Sequence, residues 1–270
     1  MNKKLPLLVL GDIHNRWAFA ERILQGLRGR YRAAIMIGDY FDRFFDTPAD
    51  VGATARWLAQ SIAQPDRLHL LGNHDLPYVF PTNLSLHCPG FSWEKHAAVE
   101  KELAGAPCDR LKLAHFEDGW LFSHAGFAPE HADGETTESL VHRANALLPT
   151  LHEDRYHSLL ACGAGRGGKS IVGGITWLDW WSEFMPISGL NQIVGHTPDQ
   201  FAKAQLLRRG DDQASIPKAV LPRVFRYPAG KNPPHVSINW CLDCGLRQVA
   251  LVGPRRVEIM DTTLLRTEIA

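Results

Sequence analysis

Leu5-Pro6-Leu7-Leu8-Val9-Leu10-Gly11-Asp12-Ile13-His14 is the stretch on which the reading of this chain turns. A short apolar run rich in Leu and Val, stopped by glycine, reads as a buried strand, and this one releases a carboxylate and an imidazole at its end. The same pattern recurs four times. AAIMI precedes Gly38-Asp39-Tyr40-Phe41-Asp42-Arg43, RLHLL precedes Gly72-Asn73-His74-Asp75, WLF precedes Ser123-His124-Ala125-Gly126, and LNQIV precedes Gly195-His196-Thr197. Sites in open α/β sheets are built at the carboxyl ends of strands. Five deliveries of Asp, Asn and His to such ends therefore predict one polar, metal-binding centre.

Around these strands the first ninety residues alternate strand, helix, strand, helix, strand, with helices expected over 17–27 and 49–63. That alternation implies parallel strands joined by crossover helices. A further helix is expected over 93–103, and 111–115 with 120–122 reads as a hairpin through Glu117-Asp118-Gly119. Residues 136–160 read as helical with a break at Pro149, and the six glycines of 163–174 as a loop. The five prolines of 210–234 predict a surface excursion. Residues 235–240, 248–252 and 257–260 read as closing strands of an antiparallel meander.

The ligand-bearing motifs span residues 12 to 196, so the site needs one domain covering 1–270. Lys plus Arg equals Asp plus Glu at 29 each, and no net field favours nucleic acid or an anionic membrane. No run approaches the roughly 20 apolar residues that cross a bilayer, and removing the N-terminal apolar run as a leader would delete the first strand. These features predict a soluble, cytoplasmic protein. Cys88, Cys108, Cys162, Cys241 and Cys244 are odd in number and scattered, as reduced thiols are. The lone CxxC at 241–244 lies in an apolar run and reads as packing.

Asp12 and His14, two positions apart at a strand end, can project toward one point, and Asp39 arrives from the next strand. A carboxylate can bridge two cations, while Asn73, His124 and His196 can each fill one position. Oxygen and nitrogen donors without thiolate suit two divalent ions, with Mn²⁺ foremost and Fe or Zn²⁺ as alternatives. Paired metals about 3.5–4 Å apart serve in-line phosphoryl displacement. Trp177, Trp180 and Trp181 read as core residues, or as the rim of a substrate site.

The ordered set GDIH, GDYFDR, GNHD, SHAG and GHTP resembles the calcineurin-like metallophosphoesterases, and within them the phosphoprotein-phosphatase branch of bacterial and phage serine/threonine phosphatases and diadenosine tetraphosphatases. The resemblance implies an α/β fold, a sandwich of two mixed β-sheets flanked by helices. It implies Asp12 and His14 on a first metal, Asp39 as the bridge, and Asn73, His124 and His196 on a second. It further implies His74 as general acid oriented by Asp42, and Arg43 as a phosphate clamp; Arg143 and Arg166 are both candidates for a second clamp. Asn15, Phe44 and Asp75 depart from the residues usual in that branch.

The implied activity is hydrolysis of a phosphate ester by a metal-bridging hydroxide, on a phosphomonoester or phosphoprotein. Dinucleoside polyphosphates or other nucleotides are the alternative substrates. A noncatalytic protein-binding scaffold is disfavoured by the presence of all six ligand types and His74. A phosphorylated substrate is the expected partner, and long nucleic acid is not.

Overall fold

A computed structural model describes residues 4–43, 45–199, 224–226, 237–254, 256–262 and 265 of the chain. The strands are β1 (Leu7–Leu10), β2 (Ala33–Met36), β3 (Arg67–His69), β4 (Ala114–Glu117), β5 (Trp120–Ser123), β6 (Asn191–Val194), β7 (Phe225–Arg226), β8 (Asn239–Cys241), β9 (Gln248–Gly253) and β10 (Arg256–Asp261). The helices are α1 (Trp17–Gly26), α2 (Pro48–Ile62), α3 (Leu76–Val79), α4 (Trp93–Leu103), α5 (Pro129–Ala132) and α6 (Thr137–Asn145).

Two five-stranded mixed sheets result, ordered β10-β9-β1-β2-β3 and β4-β5-β6-β8-β7. In the first, β1 runs parallel to β2 and β2 to β3, while β9 and β10 are antiparallel additions. In the second, β5, β6 and β8 are parallel, and β4 and β7 run antiparallel at the edges.

The all-apolar sequence of β1 follows from its place. Successive side chains alternate between faces, and Leu7 and Val9 enter the core between the sheets with Ile35, Ile37, Trp120, Phe122 and Ile193. Leu8 and Leu10 face the other way, into a core with Phe19, Ile23 and Leu24 of α1 and Val51, Ala55 and Leu58 of α2. A strand buried on both faces has no use for polar residues. Helix α2 begins where Thr47 accepts from the Asp50 amide while the Asp50 carboxylate accepts from the Thr47 amide, with Pro48 in the first turn.

Helices α1, α2 and α4 lie within one residue of their expected bounds. Three expectations are corrected. The strand expected over 111–115 is described as Ala114–Glu117, because Lys112 instead bridges Leu70 beyond the end of β3. The helix expected over 136–160 ends at Asn145; Leu148–Thr150 and Ser158–Leu160 are single 3₁₀ turns, and Pro149 lacks the amide a longer helix requires. The closing meander is only the β9–β10 hairpin. After β8, Leu242 drops into the core between the sheets and carries the chain from one sheet to the other. The excursion expected over 210–234 lies outside the described residues except at 224–226.

Cys241 and Cys244 are buried free thiols, as their apolar setting implied. Among the described residues, no helix is long and apolar enough to cross a membrane.

Glu21 of α1 ties three elements together. It accepts both Arg67 guanidinium nitrogens at 2.7 and 2.9 Å and the Trp57 indole at 2.9 Å. The Arg67 bonds, ahead of the other contacts, hold its carboxyl down at about 2. Ionised Glu21 therefore stabilises the fold above its ordinary value of 4.5, and that contribution is lost as pH falls from there toward about 2. Glu21→Gln is expected to be less stable than wild type in urea at pH 7, with the gap narrowing below pH 4.5. Leu8→Ala, at a fully buried position, is expected to cost about 2–5 kcal/mol in the same experiment, independent of pH.

Candidate metal centre

The five strand ends converge. The Ile13 and His14 amides both donate to the Asp39 carbonyl, at 2.9 and 2.8 Å, so the loops after β1 and β2 are bonded directly to each other. The Asp75 carboxylate accepts the amides of Gly72, Asp39 and Tyr40 at 2.7–2.8 Å and ties in the loop after β3. The His196 amide reaches the Asp12 carboxylate at 3.1 Å and adds the loop after β6.

Such close approach explains the glycines. A Cβ on Gly72 would lie 2.1 Å from Asp39 Oδ1, and one on Gly195 would lie 2.0 Å from Asp12 Oδ1. His14, Asn15, Asp39, Asp42 and His196 all have φ between +42° and +65°. Left-handed backbone is costly for residues with a Cβ, though Asn, Asp and His tolerate it best.

The donors form two groups that share Asp39: Asp12, His14 and Asp39, and Asp39, His124 and His196, with ligand atoms within 4.8 Å in each. Asn73 Oδ1 lies 3.1 Å from His124 Nε2 and joins the second. His14 Nδ1 is bonded to the Phe41 carbonyl and His124 Nδ1 to the Ile37 carbonyl, both at 2.9 Å. A carbonyl can only accept, so those nitrogens carry protons, and Nε2 of each ring is the nitrogen left to face the carboxylates. His124 Nε2 then faces Asp39 Oδ1 at 3.3 Å and His196 Nδ1 at 3.2 Å.

Acceptors crowded together in this way require a cation or a proton. Burial works against charge on His124, yet Asp39 outweighs it and lifts its pKa to about 9. Burial also raises Asp39, but His124, His74 and His14 bring it well below the carboxylate range. Asp12 is pushed up to about 6 by burial. His196, suppressed by burial and by His124, is neutral and available as a ligand. A divalent ion replaces the proton in such a setting, so the residues present fit a pair of metal ions.

Beside the ligands, His74 Nδ1 lies 3.4 Å from Asp42 Oδ2. Burial disfavours the charged ring, but Asp39 and Asp42 raise its pKa to about 11. The other Asp42 oxygen accepts from Tyr78 at 2.7 Å and Lys95 at 3.2 Å. Arg43 follows with a half-exposed guanidinium 3.5 Å from Asp46.

The two candidate second clamps part company. Arg166 donates to the His196 carbonyl and Thr197 Oγ1, both at 3.1 Å, and pairs with Asp179 at 2.9 Å. Arg143 pairs with Glu135 at 2.8 Å and donates to the His131 carbonyl; it lines a cleft containing none of the six candidate ligands.

Tyr78, Lys95, Cys88 and Asp243 were not singled out by sequence reasoning. Cys88 lies 3.6 Å from His74 Nδ1, and Asp243 is driven up to about 7 by burial and the charge of Asp12. Tyr78 follows the third motif closely, but Lys95 sits on α4 with no motif around it. The tryptophans divide: Trp180 is buried and donates to the Ala125 carbonyl, whereas Trp177 packs edge-on against His196 at 5.7 Å.

Solved structures align with much of the chain. A candidate diadenosine tetraphosphatase aligns over 96% of this chain and 95% of its own, with 14% identity and a TM-score of 0.41. A metallophosphoesterase from Sphaerobacter thermophilus aligns over 96% of this chain and 88% of its own, at 14% identity and a TM-score of 0.40. A Saccharomyces cerevisiae protein serine/threonine phosphatase with similarity to human phosphatase PP5 aligns over 72% of this chain and 62% of its own, at 12% identity and a TM-score of 0.40. No curated protein matches the sequence. The profile of the calcineurin-like phosphoesterases matches residues 5–212, and the chain belongs to that family of metal-dependent phosphoric ester hydrolases.

Proposed function

We propose that the protein hydrolyses phosphomonoesters, including phosphoserine or phosphothreonine in proteins, at a dinuclear centre held by Asp12, His14, Asp39, Asn73, His124 and His196. The observation that carries this reading is the sharing of Asp39 between two donor groups, with the His74–Asp42 pair beside them. When bound, the two ions supply Lewis acidity and an activated water for attack on phosphorus. Mn²⁺ is the ion we propose, because oxygen and imidazole donors without thiolate suit it.

We assign His74 the role of protonating the departing oxygen. Asp39 and Asp42 favour its charged form, and Asp42 contacts the ring through Nδ1, which leaves Nε2 for the substrate. Asp42 is in turn fixed by Tyr78 and Lys95. Arg43 and Arg166 bind phosphate oxygens, for which a planar guanidinium offers paired donors. Arg166 is preferred over Arg143 because its partners include the backbone of His196 and the adjacent Thr197. The compartment we propose is the cytoplasm, where the free cysteines remain reduced.

One observation favours the second reading, a dinucleoside polyphosphate or nucleotide substrate. Trp177 lies against His196, where an indole could stack on a base. Comparing kcat/KM for a phosphoserine peptide, diadenosine tetraphosphate, a cyclic nucleotide and single-stranded DNA separates these classes. Preference for the dinucleotide, lost in Trp177→Ala, would replace the phosphoprotein reading.

Metal-stripped protein is expected to be inactive on 4-nitrophenyl phosphate and to recover with Mn²⁺. His74→Asn should lower kcat by about 10²–10⁴-fold while bound metal, measured by elemental analysis, stays at the wild-type level. Equal loss of both would contradict the acid role. Arg166→Ala should lower kcat/KM by about tenfold or more, the worth of a charged hydrogen bond, whereas Arg143→Ala should leave it near wild type.

A further inference from the structure

A third group of metal-type donors lies behind the ring of His74. Asp42, His74 and Cys88 each offer one ligand atom, and the three atoms lie within 4.8 Å of one another. They are contributed by three separate loops, following β2, β3 and α3. Asp42 Oδ1 is taken by Tyr78 and Lys95, so Oδ2 is the oxygen turned toward the ring.

We propose that these three atoms form a zinc site distinct from the dinuclear centre, and that zinc bound there switches the hydrolase off. Both separations from the His74 ring nitrogen match the edges of a tetrahedral zinc shell. With Zn–N and Zn–O of about 2.1 Å and Zn–S of about 2.3 Å, tetrahedral edges come to about 3.4 Å for N···O and about 3.6 Å for N···S. The observed separations are 3.4 Å from His74 Nδ1 to Asp42 Oδ2 and 3.6 Å from His74 Nδ1 to Cys88 Sγ.

The donor set also discriminates. The six ligands of the dinuclear centre are oxygen and nitrogen, which hard ions accept, whereas a thiolate selects zinc over manganese or magnesium. Three protein ligands leave a fourth position for water.

Loss of activity follows from geometry. Zinc bound here takes His74 Nδ1 and Asp42 Oδ2 as ligands, the Cys88 thiol proton passing to solvent, and so replaces the direct contact by which Asp42 orients the ring. This regulatory consequence rests on the acid role given to His74 above; the existence of the site does not.

The test uses the full chain loaded with Mn²⁺ and three readouts: zinc bound with manganese retained, thiolate-to-metal absorption on titration with Co²⁺, and turnover of 4-nitrophenyl phosphate. Wild type should show the absorption and lose turnover as zinc is added. Cys88→Ala should lose the absorption, and its half-inhibitory zinc concentration, relative to its own zinc-free rate, should rise about tenfold or more. Cys162→Ala should keep both properties. Absorption that persists in Cys88→Ala, or unchanged zinc sensitivity in that variant together with undiminished zinc content, overturns the site. Cys88-dependent absorption without loss of turnover upholds the site and overturns the inhibition. Cys88-dependent absorption in a chain with no hydrolytic activity contradicts the proposed function and leaves the site standing.

Discussion

The carboxylate of Asp39 is the point on which the molecule's chemistry hangs. Its residue holds the loop after β1 through its carbonyl, is held by Asp75 through its amide, and accepts the His74 amide on its side chain at 3.0 Å. The same side chain belongs to both donor groups of the dinuclear centre. An ionised carboxylate this deeply buried loses several kcal/mol of hydration unless charge is returned to it. His124 and His74 lie against it and are both held toward their charged form by it, the sign of charge that a bound cation would supply. The positive φ of Asp39 belongs to the same constraint: the backbone turns left-handed so that carbonyl, amide and carboxylate each reach a different loop.

The two sheets divide the labour. Asp12, His14, Asp39 and Asn73 follow strands of the first sheet, and His124 and His196 follow strands of the second. The distance between carboxylates and second-group imidazoles is therefore set by the packed layer between the sheets, where Val9, Ile37, Phe122 and Ile193 meet. Close-packed interiors resist changes in thickness, which is how a core without polar atoms holds the candidate ligands at fixed separations. Gly72 and Gly195 complete the arrangement by letting ligand side chains from one loop lie against the backbone of the next.

Much of this was legible in the sequence because it rests on local rules. Apolar runs of strand length, each ended by Gly or Ser, located five of the ten strands among the described residues and all six candidate ligands, and helical periodicity located α1, α2 and α4. What escaped depends on long-range pairing. The run ending at Cys241 reads the same whether it joins β9 or β6; its partner is chosen by Leu242 entering the layer between the sheets. Lys95 escaped for a related reason. A lysine on a polar helix looks solvated, and only the docking of α4 against the loop at Gly90 brings its ammonium to Asp42. Arg143 and Arg166 were indistinguishable by motif order, and the folded chain separates them by their partners, Glu135 for one and the backbone of His196 for the other.

The second motif carries two aspartates with different duties, and the division lies in their oxygens. Asp39 spends its carboxylate on imidazoles and the ligand groups, whereas Asp42 turns one oxygen outward to Tyr78 and Lys95 and the other inward to His74. Metal ions bound by Asp39 would satisfy its charge and weaken its pull on the His74 proton. Asp42 would then be the nearest carboxylate still free to hold that proton, and its orientation would decide the acidity of the ring. Tyr78 and Lys95 fix that orientation from the far side, so in the acid role proposed for His74 they would set how readily the ring gives its proton to a leaving oxygen.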